Sequence, residues 1–93
     1  MNIPRISSYD TAIRIYYEHV EIGNSEITEL FGKLSPATIS KLKKLVIENM
    51  YTKGIISYQK YNVNTRAAYV TWGIDIEDLE QRKSKLEELR LCK

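Results

Sequence analysis

The 93-residue chain has few of the residues that usually support catalysis or metal binding. It contains one cysteine, Cys92, and one histidine, His19. A single cysteine cannot form an intramolecular disulfide. One cysteine and one histidine also do not make a structural zinc site. No glycine-rich phosphate loop is present, and no nucleophile–base pair can be argued around His19. We therefore expect a protein that is not an enzyme and has no cofactor, metal or small-molecule ligand.

Long apolar runs are also missing. No stretch approaches the roughly 20 residues of a membrane span, and the first ten residues lack the apolar core of a signal peptide. Apolar residues make up 43% of the chain and charged residues 28%, which is ordinary for a globular protein. The sequence predicts a single domain over 1–93 that is cytoplasmic and has no membrane partner.

The net charge is only +2, but the charges are unevenly distributed. Residues 33–66 hold seven basic side chains against one acidic side chain, whereas residues 1–32 have a balance of −3 and residues 67–93 a balance of −1. Segregation of this kind supplies a local positive potential without a basic protein overall. The middle third is therefore the place to look for contact with a polyanion.

Two short helices are predicted in the first third. Apolar positions between Tyr9 and Val20 recur at helical spacing behind a serine N-cap, and a second helix is predicted over 26–31. Gly32 ends the second helix, and only two residues separate it from the next cap at Ser35. Helices joined by so short a turn must cross steeply, which indicates a helix-turn-helix arrangement.

The third helix begins after Ser35, an N-cap, with Pro36 at its first position, and Gly54 is suited to a C-cap. One face of this helix is apolar and carries Ile39, Leu42, Leu45, Val46 and Met50. The other face is small or basic and carries Ala37, Ser40, Lys41 and Lys44. The pattern predicts one buried face and one solvent face.

The last third predicts a hairpin and a helix. Residues 55–72 contain two β-branched and aromatic stretches around a polar tip, which favours a β-hairpin. A helix is predicted over 75–91, with a narrow stripe of Ile76, Leu79, Leu86 and Leu89. This stripe either closes the core against the first helix or pairs with a second copy of the chain.

The order of these elements resembles the winged-helix branch of the helix-turn-helix DNA-binding proteins. The likeness is carried by ITELFGKLSPATISKLKKL, followed by KGII and the hairpin, and covers residues 9–72. It implies a mostly helical α+β fold: a three-helix helix-turn-helix core, a β-hairpin wing at 55–72 and a C-terminal helix. The spacing from Leu45 to Gly54 is longer than is usual in the family. The recognition helix, taken as 36–49, is therefore either longer than usual or followed by an irregular piece.

The resemblance also implies a function, namely sequence-specific binding of double-stranded DNA by a small transcription regulator. In that family the start of the recognition helix enters the major groove, where small residues allow a close approach. Ser and Thr hydroxyls and Lys can read base edges, and further basic groups position the protein on phosphates. The predicted DNA-binding residues are Lys33, Ser35, Pro36, Ala37, Thr38, Ser40, Lys41 and Lys44 on the helix, with Lys60 and Arg66 on the wing.

A homodimer through Ile76, Leu79, Leu86 and Leu89 would present two recognition helices to a two-fold operator. Two other functions stay open. The chain could be a winged-helix protein-interaction module, or a phage or plasmid replication accessory factor that uses the same surface. We expect the folded-state charge around residues 33–66 to discriminate between DNA and protein partners.

Overall fold

The protein is a mostly helical α+β domain with five helices and a two-stranded antiparallel sheet, in a computed structural model that describes residues 3–57 and 61–91. The elements in chain order are α1 (Tyr9–Glu18), β1 (Glu21–Ile22), α2 (Asn24–Phe31), α3 (Pro36–Lys53), β2 (Val63–Asn64), α4 (Thr65–Thr71) and α5 (Ile76–Leu91). A single cluster of buried apolar side chains connects the helices and the sheet.

Helix α3 is one continuous helix of 18 residues. Ser35 Oγ accepts a hydrogen bond from the Thr38 amide at 3.2 Å, so the predicted N-cap is confirmed. Gly54 closes the helix in the left-handed region, at φ 70°, where a side chain would be strained. The recognition helix, taken as 36–49, therefore extends to Lys53, which is the longer of the two alternatives, because the stop signal is Gly54 and nothing before it breaks the helix.

The buried face of α3 is the predicted one, with one exception. Ile39, Leu42, Val46 and Met50 lie in the core, whereas Leu45 is only half-buried. Their spacing of three and four residues places them on one side of the helix, which leaves the opposite side free. This packing fixes which side chains of α3 reach solvent.

The predicted hairpin over 55–72 was wrong. Among the described residues, the segment after α3 contributes one two-residue strand, β2, which pairs with β1 in the register Glu21↔Asn64 and Ile22↔Val63. The second predicted strand is instead helix α4. The predicted contact residue Lys60 lies outside the described residues.

Helix α4 forms because tertiary burial overrides the strand preference of its aromatic and β-branched residues. The Asn64 side chain caps it by accepting a hydrogen bond from the Ala67 amide at 2.9 Å. Four buried residues then fall at helical spacing: Thr65, Ala68, Tyr69 and Trp72. The side chains of Tyr69 and Trp72 donate hydrogen bonds to backbone carbonyls of α1 and α3, at Ala12 (2.6 Å) and Leu42 (3.1 Å).

Helix α5 starts at the predicted place, with Asp75 accepting hydrogen bonds from the amides of Glu77 and Asp78. Its first half packs on α1, where Lys83 pairs with Asp10 at 2.8 Å and Tyr17 donates to Glu80. Within the single chain Leu79 is buried and Ile76 is half-buried. Those two positions of the predicted stripe therefore close the core against α1, which is the first of the two alternatives given for the stripe.

Candidate nucleic-acid interface

The candidate interface is the solvent face of the first half of α3. Ala37, Ser40, Lys41 and Lys44 are all exposed there, as are Ser35, Pro36 and Lys33 just before or at the start of the helix. Thr38 is half-buried, and its hydroxyl lies 2.9 Å from that of Ser35. The structure therefore brings all eight predicted helix-side residues to one end of one element.

Two hydrogen bonds attach the buried side of α3 to the rest of the fold. The Trp72 indole donates to the Leu42 carbonyl at 3.1 Å, and the Asn49 amide donates to the Thr71 hydroxyl at 2.8 Å. Both bonds connect α3 to the α4 segment, on the side opposite the basic residues. A recognition surface on a packed helix keeps its side chains in register.

Lys43 differs from its neighbours. Its ammonium donates to the Asn24 Oδ1 at 3.1 Å, and its side chain is half-buried against α2. Lys41 and Lys44, one helical turn apart, are instead exposed to solvent. Of the three lysines in the KLKK run, Lys43 is therefore bonded to α2, whereas Lys41 and Lys44 point to solvent.

The charge around α3 is not neutralised by neighbouring helices. Within residues 3–57 and 61–91, no ion pair involves Lys33, Lys41, Lys44 or Lys53. Acidic groups of α1 and α2 are occupied elsewhere. Arg14 bridges Glu18 at 2.9 Å and Glu29 at 2.6 Å, and its pKa is raised by these hydrogen bonds.

Lys83 on α5 holds a further acidic side chain of α1, Asp10. This pair, together with the bridges of Arg14, keeps three carboxylates away from α3. Glu48 is the one acidic residue of α3 itself, and it lies in the second half of the helix. The first half of the helix face is therefore positive.

The second half of the same face carries two exposed apolar side chains beside Glu48, a feature that was not predicted from the sequence. Ile47 is 53% exposed and Tyr51 is 87% exposed. Both fall within about 60° of Lys44 on a helix of 100° per residue. The helical periodicity of the sequence already places Ile47 and Tyr51 on this face. The sequence did not fix where the helix ends between Leu45 and Gly54, so these two residues were not assigned to it.

Arg66 is not at a hairpin tip. It lies in the first turn of α4, where it is exposed beside Tyr16 along two shallow grooves. We predicted that a β-hairpin wing would place Arg66 beside the contact residues of α3. The described part of the chain contains no such wing.

The remaining candidates carry little chemistry. His19 is the C-cap of α1, where its backbone amide donates to the Ile15 carbonyl at 3.1 Å. Across the residues described, no three His, Cys, Asp or Glu side chains are grouped as a metal would need. No helix in the described ranges has the length and apolar character to cross a membrane.

Comparison with known proteins adds no family. No protein-family model, curated protein or solved structure matches the chain.

Proposed function

We propose that this protein binds double-stranded DNA sequence-specifically as a small winged-helix-like transcription regulator. The first half of α3 would lie in the major groove. One observation carries the proposal: the exposed side of α3 begins with small residues and two lysines that make no ion pair with any described residue, while its opposite side is buried in the core. The α2–α3 turn and the β1–β2 pair support the resemblance to winged helices, whereas α4 departs from it.

Each group has a role that follows from its chemistry. Ser40 and Lys41 can reach base edges, because a hydroxyl donates or accepts and an ammonium donates to guanine acceptors. Lys33 and Lys44 suit phosphates. Pro36 has no amide proton and the Thr38 amide donates to Ser35 Oγ, so a phosphate at the start of α3 would meet the amide of Ala37.

The lysines give the direct test. The double substitution Lys41→Ala with Lys44→Ala should weaken duplex binding by about 10- to 100-fold, since base and phosphate contacts are both lost. The slope of log K against log salt should become shallower by about one for each phosphate contact removed. The melting temperature should change little, because both side chains are exposed. Fluorescence anisotropy with a labelled duplex measures the binding.

Lys43→Ala is the matched control. It removes the same charge from the same helix, but at a side chain that faces Asn24. If Lys43→Ala and Lys44→Ala weakened binding equally at every salt concentration, only general charge would matter. The assignment of the α3 face would then be wrong.

Selection from a random duplex pool tests specificity. Enrichment of one motif is expected, and a two-fold symmetric motif if the protein binds as a homodimer. Leu86 and Leu89 are the members of the predicted dimerisation stripe that stay exposed, at 42% and 55%. Recovery of no motif despite binding would contradict a regulator that reads sequence.

The second candidate function is a protein-interaction module. The observation that favours it is the exposed pair Ile47 and Tyr51, since apolar and aromatic residues are enriched in the centres of protein interfaces. Tyr51→Ala should leave duplex affinity within about twofold if this pair serves a protein partner, because it lies outside the basic half of α3. A replication accessory factor would use the Lys41–Lys44 surface and differ only in the site selected.

A further inference from the structure

The last two turns of α5 project from the body of the molecule. Every described side chain from Ser84 to Arg90 is exposed, including Leu86 and Leu89. Two helical turns with all their described side chains exposed gain little from packing, yet these two leucines lie one turn apart and form an apolar stripe. We call residues 84–91 the α5 extension.

A shallow groove runs between α1, α4 and the start of α5. It consists of two adjoining cavities of about 370 and 480 Å³, which share Tyr16 and Arg66. Its rim carries Val20 and Val70, which are 71% and 58% exposed. We call this the α1–α4 groove, and it is open to an apolar side chain from outside the chain.

The charges of α5 are arranged in two blocks. Its cap and first five residues carry only acidic groups, whereas the rest of the helix has a basic excess. The acidic block is Asp75, Glu77, Asp78 and Glu80, and the second block has Arg82, Lys83, Lys85 and Arg90 against Glu87 and Glu88. On a helix of 100° per residue, Lys85 and Arg90 flank the Leu86–Leu89 stripe while the two glutamates lie behind it. In an antiparallel pair of identical α5 helices, the acidic block of each helix faces the basic block of the other. The two helix dipoles then also run in opposite directions, which is favourable.

We propose that two copies of this chain associate antiparallel through α5, with the α5 extension of each in the α1–α4 groove of the other. Leu86 and Leu89 lie about 15 and 20 Å along the helix from Ile76. A two-fold axis through the middle of α5, near Gln81, places the Leu86–Leu89 end of one copy against the Ile76 end of the other. The same contact then forms twice and closes as a dimer.

The antiparallel dimer deepens the proposed function. A two-fold symmetric operator follows from it only together with the proposed DNA binding. The dimer differs from a parallel coiled coil because the leucine stripe meets the groove and the acidic start of α5, not the stripe of the partner. The two arrangements predict different neighbours for Leu89, which a cross-link can report.

The first experiment is site-directed cross-linking in a Cys92→Ser background. Copies carrying Val70→Cys are mixed with copies carrying Leu89→Cys and treated with a short bismaleimide. The mixture should give a covalent dimer, and Leu89→Cys alone should give none. Efficient linking of Leu89→Cys to itself, or no linking in the mixture, would overturn the antiparallel arrangement.

The second experiment is the mass in solution by sedimentation equilibrium. Leu89→Glu should weaken the dimer by about 100-fold, because a charged group would replace the apolar side chain that meets Val70 at the rim of the groove. Ser84→Glu places a charge on the opposite side of the α5 extension and should change the dimer constant by less than about threefold. Equal effects of the two variants, at unchanged helical content by circular dichroism, would contradict the interface.

Charge reversal provides an internal check. Glu77→Lys and Lys85→Glu should each weaken the dimer, and the two together should restore it, because their charges are then exchanged. Wild-type protein that is monomeric at all concentrations overturns this inference but leaves duplex binding intact. A dimer that does not bind duplex DNA overturns the proposed function and leaves the dimer arrangement standing.

Discussion

At the scale of single residues, two aromatic side chains decide how the helices are held. Tyr69 is 1% exposed and Trp72 is 4% exposed, and each donates to a backbone carbonyl of a different helix. Buried Tyr and Trp usually find such partners, because an unpaired polar group is costly in the core. The pKa of Tyr69 is raised, mainly by burial.

Tyr69→Phe should lower the free energy of unfolding by about 1 to 2 kcal/mol at neutral pH, from loss of the bond to Ala12. The wild type should also lose stability as the pH rises above about 10, because the unfolded chain releases the Tyr69 proton there while the folded chain retains it. Urea titrations of both proteins at several pH values measure this. The difference between them should shrink from about pH 9 to about pH 11, and a constant difference would contradict the account.

At the scale of elements, α4 shows how burial can select a helix over a strand. Residues 66–72 contain a run of Tyr, Val, Thr and Trp that favours a strand by composition. The same residues place Ala68, Tyr69 and Trp72 on one helical face, and Asn64 supplies the cap. Burial against α3 then decides between the two, since a strand would turn alternate members of this set to solvent.

Asn64→Ala should destabilise the protein by about 1 kcal/mol, because the Ala67 amide loses its acceptor. Asn64→Asp keeps an acceptor oxygen at the same place and should recover most of that loss. Thermal unfolding followed by circular dichroism measures both variants. If the aspartate variant were as unstable as the alanine variant, the role of this side chain would lie elsewhere than in capping α4.

At the scale of the whole molecule, the described elements share one core, and the single tryptophan lies between α3 and α4. A protein with one core of this size usually unfolds in one cooperative step. The candidate interface on α3 is therefore stabilised by the same contacts that stabilise the fold.

The emission of Trp72 and the helical circular dichroism should report the same denaturant midpoint. Trp72 reports the α3–α4 contact, whereas circular dichroism reports all five described helices. Coincident curves are expected in urea. An earlier red shift of the emission would mean that α4 detaches while the other helices persist, and α3 would then lack its rigid support.

Much of the candidate interface was predictable because its determinants are local. The cap at Ser35, the stop at Gly54 and the division of α3 into buried and exposed faces depend on residues within a few turns of one another. The roles of Lys41 and Lys44 in DNA binding stay predictions. The predicted place of Arg66 on a hairpin was wrong, because the element that carries it is a helix, and its contact with DNA stays a prediction.

By itself, then, the sequence determined α2 and α3 with the short turn between them, the outward basic side of α3 and the start of α5, since caps and apolar periodicity act over short distances. Only the tertiary structure decided that residues 65–71 are helical, that β2 pairs with β1, and that Lys43 faces Asn24 while its neighbours stay free. Each of these depends on contacts between residues far apart in the chain. Burial and hydrogen-bond satisfaction, which no local pattern records, selected among the alternatives.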